Sequence, residues 1–249
     1  MPLTSLVGVK ALTIRDPWRK YAQARALLDS SGLRAAVVNV VWRDTAARLV
    51  DDGVKVWMFS LPEKFDDGTG NDFVPDEWMK TTALLSSVGK EIGAAGQVDN
   101  LEKGASRMTR LEKRGFVAET TARTRSGESV GIATHGGLDA FFSALGPELG
   151  AAGVVYCPEA YHYQLQDADI VGRVQRVVDK AKGFGFAGIC PYVGSYSNKA
   201  SRPFNTARAV RYWDTTPAEL GGLMWLTHVP TGLELEAIRR WAKRKTGVA

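Results

Sequence analysis

The chain has 249 residues, of which 45% are hydrophobic and 24% are charged, and its formal net charge is +5. This composition is ordinary for a globular protein and excludes a disordered chain or a fibrous repeat. No run of about 18 apolar residues is present, so we expect no membrane span. The first residues lack the basic and apolar segments of a secretory signal. We therefore expect synthesis in the cytoplasm, and release only by a route that the sequence does not encode.

Short apolar runs recur along the chain and predict parallel strands. Their character is almost continuously apolar, as in Ala-Ala-Val-Val-Asn-Val-Val, which is typical of strands covered on both faces. Between the runs, residues 21–31 and 170–182 show the apolar stripe of amphipathic helices. The predicted strands are residues 9–15, 35–42, 54–61, 96–102, 129–135, 152–158, 186–193 and 221–228.

Eight strands separated by helices predict an α/β fold, a single (β/α)8 TIM barrel. The length of the chain is that of one such domain, which typically needs about 250 residues, so we predict one barrel domain over residues 1–249. No turn after a predicted strand has the glycine pattern of a dinucleotide site or a P-loop, which disfavours nucleotide binding.

Two carboxylates, Asp99 and Glu102, stand at the end of the fourth predicted strand. Residues at the carboxyl ends of barrel strands face the substrate, and glycoside hydrolysis uses one protonated carboxyl group with a second, ionised group. Because side chains alternate along a strand, residues three apart point to opposite faces unless the strand bulges or ends near Asn100. The alternative is an Asp-Asn turn followed by an acidic residue that starts a helix.

Aromatic and polar residues at strand ends predict a saccharide site, since aromatic rings offer a matching surface to the flat faces of sugars. The alternatives are that a strand tryptophan belongs to the core and that Asp16 stabilises a turn. The predicted substrate-binding residues are Asp16, Trp42, Trp57, His135, Tyr156, Glu159, Tyr161, Tyr192 and Trp225.

The three histidines, His135, His162 and His228, also fall at ends of predicted strands. With the nearby carboxylates they could ligate a divalent metal, so a metal-dependent hydrolase or isomerase stays an alternative. No H-x-H or H-E-x-x-H pairing supports a metal site, and we predict neither a metal nor another cofactor. Cys157 and Cys190 fall in neighbouring predicted strands, where two buried thiols are favoured over a disulfide.

Basic residues are concentrated after the fourth strand and in the last predicted helix. Such runs are usually solvated helix faces, and the alternative is attraction to an anionic cell-wall polymer or nucleic acid. We expect a polysaccharide partner, no membrane and, with less support, no nucleic acid. The oligomeric state is left open.

One arrangement is distinctive: a strand with Trp57-Met-Phe59, a long loop, a helix, a strand ending in Asp99-Asn-Leu-Glu102, and a Gly-Ile-Ala-Thr strand. It resembles the glycoside hydrolase superfamily of (β/α)8 barrels, especially lysozyme-type and chitinase-like members, several of which bacteriophages encode. In that family the fourth strand carries the catalytic acid, usually as D-x-E or in a longer D-x-x-D-x-D-x-E string.

The resemblance implies that Glu102 is the proton donor and Asp99 its partner, acting on a β-linked amino-sugar polymer such as peptidoglycan or chitin. This chain has one residue more than D-x-E between the two acids. The resemblance therefore also admits a non-catalytic barrel that binds carbohydrate or serves as a structural component, for example of a phage particle.

Overall fold

The fold is described from a computed structural model. It describes residues 5–15, 18–60, 63–65, 71–73, 75–102, 108–134, 138–159, 176, 178–179, 181–195, 205–216 and 221–246. Each of the eight predicted strands contains an observed strand.

The strands are short and alternate with helices along the chain. They are β1 (Lys10–Ile14), β2 (Ala35–Asn39), β3 (Lys55–Ser60), β4 (Glu63–Phe65), β5 (Asn71–Phe73), β6 (Gly96–Glu102), β7 (Val130–Thr134), β8 (Val155–Pro158), β9 (Gly188–Ile189), β10 (Tyr192–Ser195) and β11 (Gly222–Leu226). The helices are α1 (Tyr21–Ser31), α2 (Arg43–Asp51), α3 (Pro75–Ile92), α4 (Arg110–Arg125), α5 (Leu138–Ala151), α6 (Thr206–Thr215) and α7 (Gly232–Lys243).

One parallel sheet runs in the order β10-β11-β1-β2-β3-β6-β7-β8-β9, with β4 and β5 forming a separate antiparallel pair. Its two outermost strands, β9 and β10, are neighbours in sequence, separated only by Cys190 and Pro191. β9 pairs with β8 and β10 pairs with β11, so the predicted seventh strand joins both edges of the sheet. The sheet therefore closes on itself and confirms the predicted (β/α)8 TIM barrel.

Side chains alternate between the barrel interior and the surrounding helices, as the pleat of a strand requires. The interior cluster is the set of buried side chains that the strands turn towards the barrel axis. In β3, Trp57 and Phe59 belong to this cluster, whereas Val56 and Met58 pack against the helices. This alternation decides which strand-end residues face the barrel mouth, the opening at the carboxyl ends of the strands.

Local signals in the sequence begin and end the helices. The Thr109 hydroxyl accepts a hydrogen bond of 3.3 Å from the Glu112 N–H, and the Glu112 carboxylate accepts one of 2.6 Å from the Thr109 N–H. This capping box starts α4. Gly32 ends α1 in the left-handed conformation (φ 78°), as its position after the apolar stripe predicts. Within the described ranges, no helix is both long and apolar enough to cross a bilayer.

Candidate active site

The Asp99 carboxylate lies on the outer face of β6, towards the helices. Its Oδ2 atom is 2.9 Å from Nη1 of Arg123 in α4, and only 1% of the Asp99 side chain is exposed. The neighbouring positions agree with this orientation, because Val98 belongs to the interior cluster and Leu101 to a helix-facing cluster. The predicted placement of Asp99 at the mouth is thus corrected: the strand is still regular at this residue, and its alternation turns the carboxylate outwards.

Arg123 joins Asp99 to a second acidic residue, Glu128, whose Oε2 atom is 3.4 Å from the Arg123 Nε atom. Burial raises the pKa of Glu128, but the Ser86 hydroxyl and the charges of Arg123 and Lys90 lower it by more, so that it lies below its ordinary value. The ion pairs connect β6, α4 and the turn before β7, which is a structural arrangement rather than a substrate site.

The pairing of β6 with β7 is irregular near the carboxyl end of β6. Its register against β7 shifts between Asn100, which pairs with Ala133, and Glu102, which pairs with Thr134. A break near Asn100 is the condition that the sequence set for bringing both Asp99 and Glu102 to the mouth, and the shift does not do so, because Asp99 faces Arg123. The backbone of Glu102 belongs to the described residues, whereas its side chain lies outside them.

Asn100 is an interior residue that the sequence pattern did not single out. It is 3% exposed, two positions after the interior residue Val98, and its strand partner Ala133 also belongs to the interior cluster. Counting in steps of two from Val98 would have identified it. Asn100-Leu101-Glu102 has the spacing of D-x-E, with an amide in place of the first carboxylate.

Five side chains from five parts of the barrel meet at the mouth. The guanidinium carbon of Arg15 lies over the ring of Trp225, 4.4 Å from its centroid, and 6.0 Å from the centroid of Phe59. The rings of Tyr192 and Trp225 meet edge to face, with centroids 6.4 Å apart. Glu159 forms a backbone bridge with Tyr192, and its side chain is almost buried. Three predicted residues, Glu159, Tyr192 and Trp225, are thus brought together, and the sequence pattern did not single out Arg15.

Tyr192 is buried at the mouth, where 2% of its surface is exposed. Burial raises the pKa of its hydroxyl well above the ordinary value, nearby Cys157 and Glu159 raise it further, and Arg15 acts in the opposite direction. The Tyr192 phenol is therefore neutral at neutral pH.

Three other predicted aromatic residues lie away from the mouth. Trp57 is fully buried in the amino-terminal layer of the barrel, with its Nε1 atom 3.5 Å from the Ser129 hydroxyl. Tyr156 faces the helices, shares a 2.8 Å hydrogen bond with Thr134 and belongs to a helix-facing cluster. Trp42 is partly buried in the turn after β2. It packs against the outer cluster, which consists of buried side chains between the sheet and helices such as α1 and α2. The predictions for these three residues are corrected. The face of the strand and the depth in the barrel decide where each ring lies, and the residue type reveals neither.

The remaining predicted residues divide into those outside the described ranges and those with structural contacts. Asp16, His135, Tyr161 and the alternative metal ligand His162 lie outside the described residues. His228 has its Nε2 atom 2.7 Å from Oε2 of Glu234, a fully buried carboxylate that also accepts from Trp213. No group of His, Cys, Asp and Glu side chains suited to a metal occurs in the described part of the chain.

Cys157 and Cys190 are free thiols buried in the interior cluster. Burial raises the pKa of both, for Cys190 to about 12. They are therefore neutral and unreactive packing groups at neutral pH.

Comparison of the fold with solved structures finds several glycoside hydrolases. A chitinase from Chromobacterium violaceum is similar over 95% of this chain and all of its own, with 12% identity and a TM-score of 0.65. A GH18 chitinase from Flavobacterium johnsoniae is similar over 94% of each chain, with 9% identity and a TM-score of 0.61. The spore cortex-lytic enzyme of Bacillus cereus is similar over 92% of this chain and 73% of its own, with 12% identity and a TM-score of 0.59.

Barrels with other chemistry are also similar, among them an AP endonuclease from Brucella melitensis with a TM-score of 0.52 and 11% identity. No protein-family model and no curated protein sequence matches the chain. At these identities the likeness shows the fold alone, because one barrel supports many reactions. The chain therefore has the (β/α)8 barrel fold that these structures share.

Proposed function

We propose that the protein hydrolyses a β-linked amino-sugar polymer of the peptidoglycan or chitin type, with Glu102 as the general acid. The observation that carries the proposal is the position of Glu102, which is the last residue of β6. This residue lies at the carboxyl end of the fourth barrel strand, where the resembling family has its catalytic acid and where barrel enzymes carry their active sites. The fold shared with chitinases and a cortex-lytic enzyme supports the same substrate class.

The chemistry requires a proton on the glycosidic oxygen as the bond to the sugar breaks. Glu102 would supply this proton in its carboxylic acid form. Amino sugars that carry an acetamido group can provide the nucleophile themselves, so that a second ionised carboxylate on the enzyme is not needed. The interior amide of Asn100 suits this arrangement, since it can hydrogen-bond the acetamido group without competing as a base.

The mouth also supplies a surface for a sugar ring. Trp225 is partly buried, and Tyr192 braces it edge to face. A partly exposed indole held in one orientation can stack on the apolar face of a saccharide at low entropic cost. In this proposal, the Trp225 ring is the platform on which a sugar ring of the substrate stacks.

The test is the release of reducing ends from soluble chitooligosaccharides and from purified peptidoglycan. We expect Glu102→Gln to lower turnover by about 10²–10⁴-fold, the usual contribution of a general acid, with unchanged circular dichroism and thermal midpoint. Glu236→Gln, which removes one carboxylate from the exposed face of α7, serves as the matched control and should keep full activity. Activity retained by Glu102→Gln on both substrates contradicts the proposal.

A second function, carbohydrate binding without hydrolysis, is favoured by one observation. Asn100 places a neutral amide where the D-x-E pattern of the family has a carboxylate. In that case the wild-type protein binds oligosaccharides and releases no reducing ends, and Glu102→Gln leaves the affinity unchanged. The same two measurements therefore distinguish the two functions.

A further inference from the structure

Arg15 presents a cationic group at the barrel mouth beside the ring that would bind a sugar. We propose that Arg15 selects saccharide chains that carry a carboxylate, so that the substrate is an acidic amino-sugar polymer rather than a neutral one. This inference rests on the proposed function and narrows its substrate class.

The position of Arg15 follows from the alternation of β1. Ala11 belongs to the interior cluster, and Thr13 and Arg15 follow at steps of two along the same face. Thr13 is buried, whereas Arg15 is partly buried just after the end of the strand. The guanidinium group therefore lies inside the rim of the barrel rather than on its outer surface.

Two aromatic rings hold the guanidinium group. Trp225 lies 4.4 Å from the guanidinium carbon and Phe59 lies 6.0 Å from it. A guanidinium over a ring face is stabilised by the ring quadrupole, while the N–H donors at the edge of its plane stay available. The stacking fixes the cation next to the Trp225 platform and leaves its donors for a ligand.

No carboxylate in the described part of the chain neutralises Arg15. Within these residues the Arg15 guanidinium makes no hydrogen bond and no ion pair, and it lies against the two rings. Arg123 shows the opposite case, because two carboxylates hold its buried guanidinium. Glu159 stands on the same side of the mouth and acts on Tyr192 with the opposite sign to Arg15, yet it forms no ion pair with Arg15.

This chemistry fits a carboxylate on the sugar chain. The edge of a guanidinium donates two parallel, charge-assisted hydrogen bonds to a carboxylate, which a neutral hydroxyl or acetamido group cannot reproduce. Amino-sugar polymers with lactyl ethers on alternate residues carry such a group on every second ring where no peptide is joined to it, whereas polymers of N-acetylglucosamine alone do not. A ring stacked on Trp225 would bring this carboxylate within reach of Arg15.

The experiment compares two tetrasaccharides by isothermal titration in the Glu102→Gln background, which prevents turnover. One alternates N-acetylglucosamine with its 3-O-lactyl derivative, and in the other the lactyl carboxyls are reduced to alcohols. We expect the acidic chain to bind at least about tenfold more tightly, the size of one or two hydrogen bonds to a charged group. Arg15→Gln should remove this difference and leave the affinity for the reduced chain within about twofold. The preference should also weaken as salt is added.

Two further variants separate recognition from a structural role. Arg15→Lys keeps the charge without the planar fork and should retain part of the preference. Arg48→Gln removes an arginine that stacks on Tyr21 at 3.7 Å in the outer helix layer, and it should change neither affinity. Equal weakening of both saccharides by Arg15→Gln, or a preference that survives it, overturns the inference. Equal binding of both chains by the parent protein overturns this inference alone, whereas no binding of either overturns the proposed function as well.

Discussion

Asp99 and Arg123 form a buried ion pair between β6 and α4, with 2.9 Å between Oδ2 and Nη1 and with 1% and 6% of the two side chains exposed. One of the two carboxylates that the sequence predicts to be catalytic therefore stabilises the barrel wall. A charge at such a depth requires a partner, because its removal from water is costly.

Asp99→Asn is expected to lower the free energy of unfolding by about 3–5 kcal/mol, since it leaves a buried guanidinium with one of its two carboxylates. Turnover per folded molecule should stay at the wild-type level. Urea denaturation and active-site titration measure the two quantities.

Asp214→Asn is the matched control for Asp99→Asn. It breaks the exposed pair with Arg240, which has the same 2.9 Å separation, and a surface pair contributes at most about 1 kcal/mol. A stable Asp99→Asn protein without activity would show that Asp99 takes part in catalysis.

Trp225→Ala is expected to weaken oligosaccharide binding by about tenfold or more, because it removes the stacking surface at the mouth. Trp42→Ala should reduce stability and leave binding unchanged, since Trp42 packs against the outer cluster. Titration with chitotetraose gives both affinities. Equal losses of affinity in the two variants would argue against Trp225 as the platform.

The buried thiols predict a loss of stability at alkaline pH. The pKa values of Cys157 and Cys190 are raised by burial, for Cys190 to about 12 from an ordinary 9.0. Between these values the unfolded chain loses protons that the folded protein keeps, so stability is complete below about pH 9 and falls as the pH rises. Each thiol contributes a slope of about 1.4 kcal/mol per pH unit.

Urea midpoints measured from pH 7 to pH 11 test this slope. The double variant Cys157→Ala and Cys190→Ala should show a shallower decline above pH 9, whatever its stability at pH 7. Tyr192→Phe should reduce the slope only above about pH 10, because the tyrosine hydroxyl ordinarily ionises there. An unchanged slope in the double variant would mean that the thiols ionise in the folded protein.

Gly194 controls the approach of β10 to β11. A Cβ atom at this position would lie 1.8 Å from the carbonyl oxygen of Trp225, so the backbone would have to move. Gly194→Ala is expected to destabilise the protein by about 1–3 kcal/mol and to weaken saccharide binding through Trp225.

Gly115→Ala serves as the control, because it is expected to raise the stability of the protein rather than lower it. Gly115 lies within α4, and a Cβ atom there would have no neighbour within 4 Å. The substitution should stabilise the helix by about 0.5–1 kcal/mol. Thermal unfolding measures both glycine variants, and a neutral Gly194→Ala would contradict the close strand approach.

Strand spacing was sufficient to predict the barrel, because eight parallel strands connected by helices is the number that closes into such a barrel. It also placed Glu159, Tyr192 and Trp225 near the carboxyl ends of predicted strands, and the structure brings these three residues together. It did not separate Tyr156 from Tyr192, since both are tyrosines in buried strands, and only the face of the strand distinguishes them.

The amino-acid sequence by itself determined the eight-strand rhythm and the helix caps, both of which depend on short-range patterns. Only the tertiary structure decided that Asp99 pairs with Arg123 and that Arg15 stacks on Trp225. These contacts join residues 24 and roughly 200 positions apart, and whether a polar side chain meets a partner or stands open to a ligand depends on such distant neighbours.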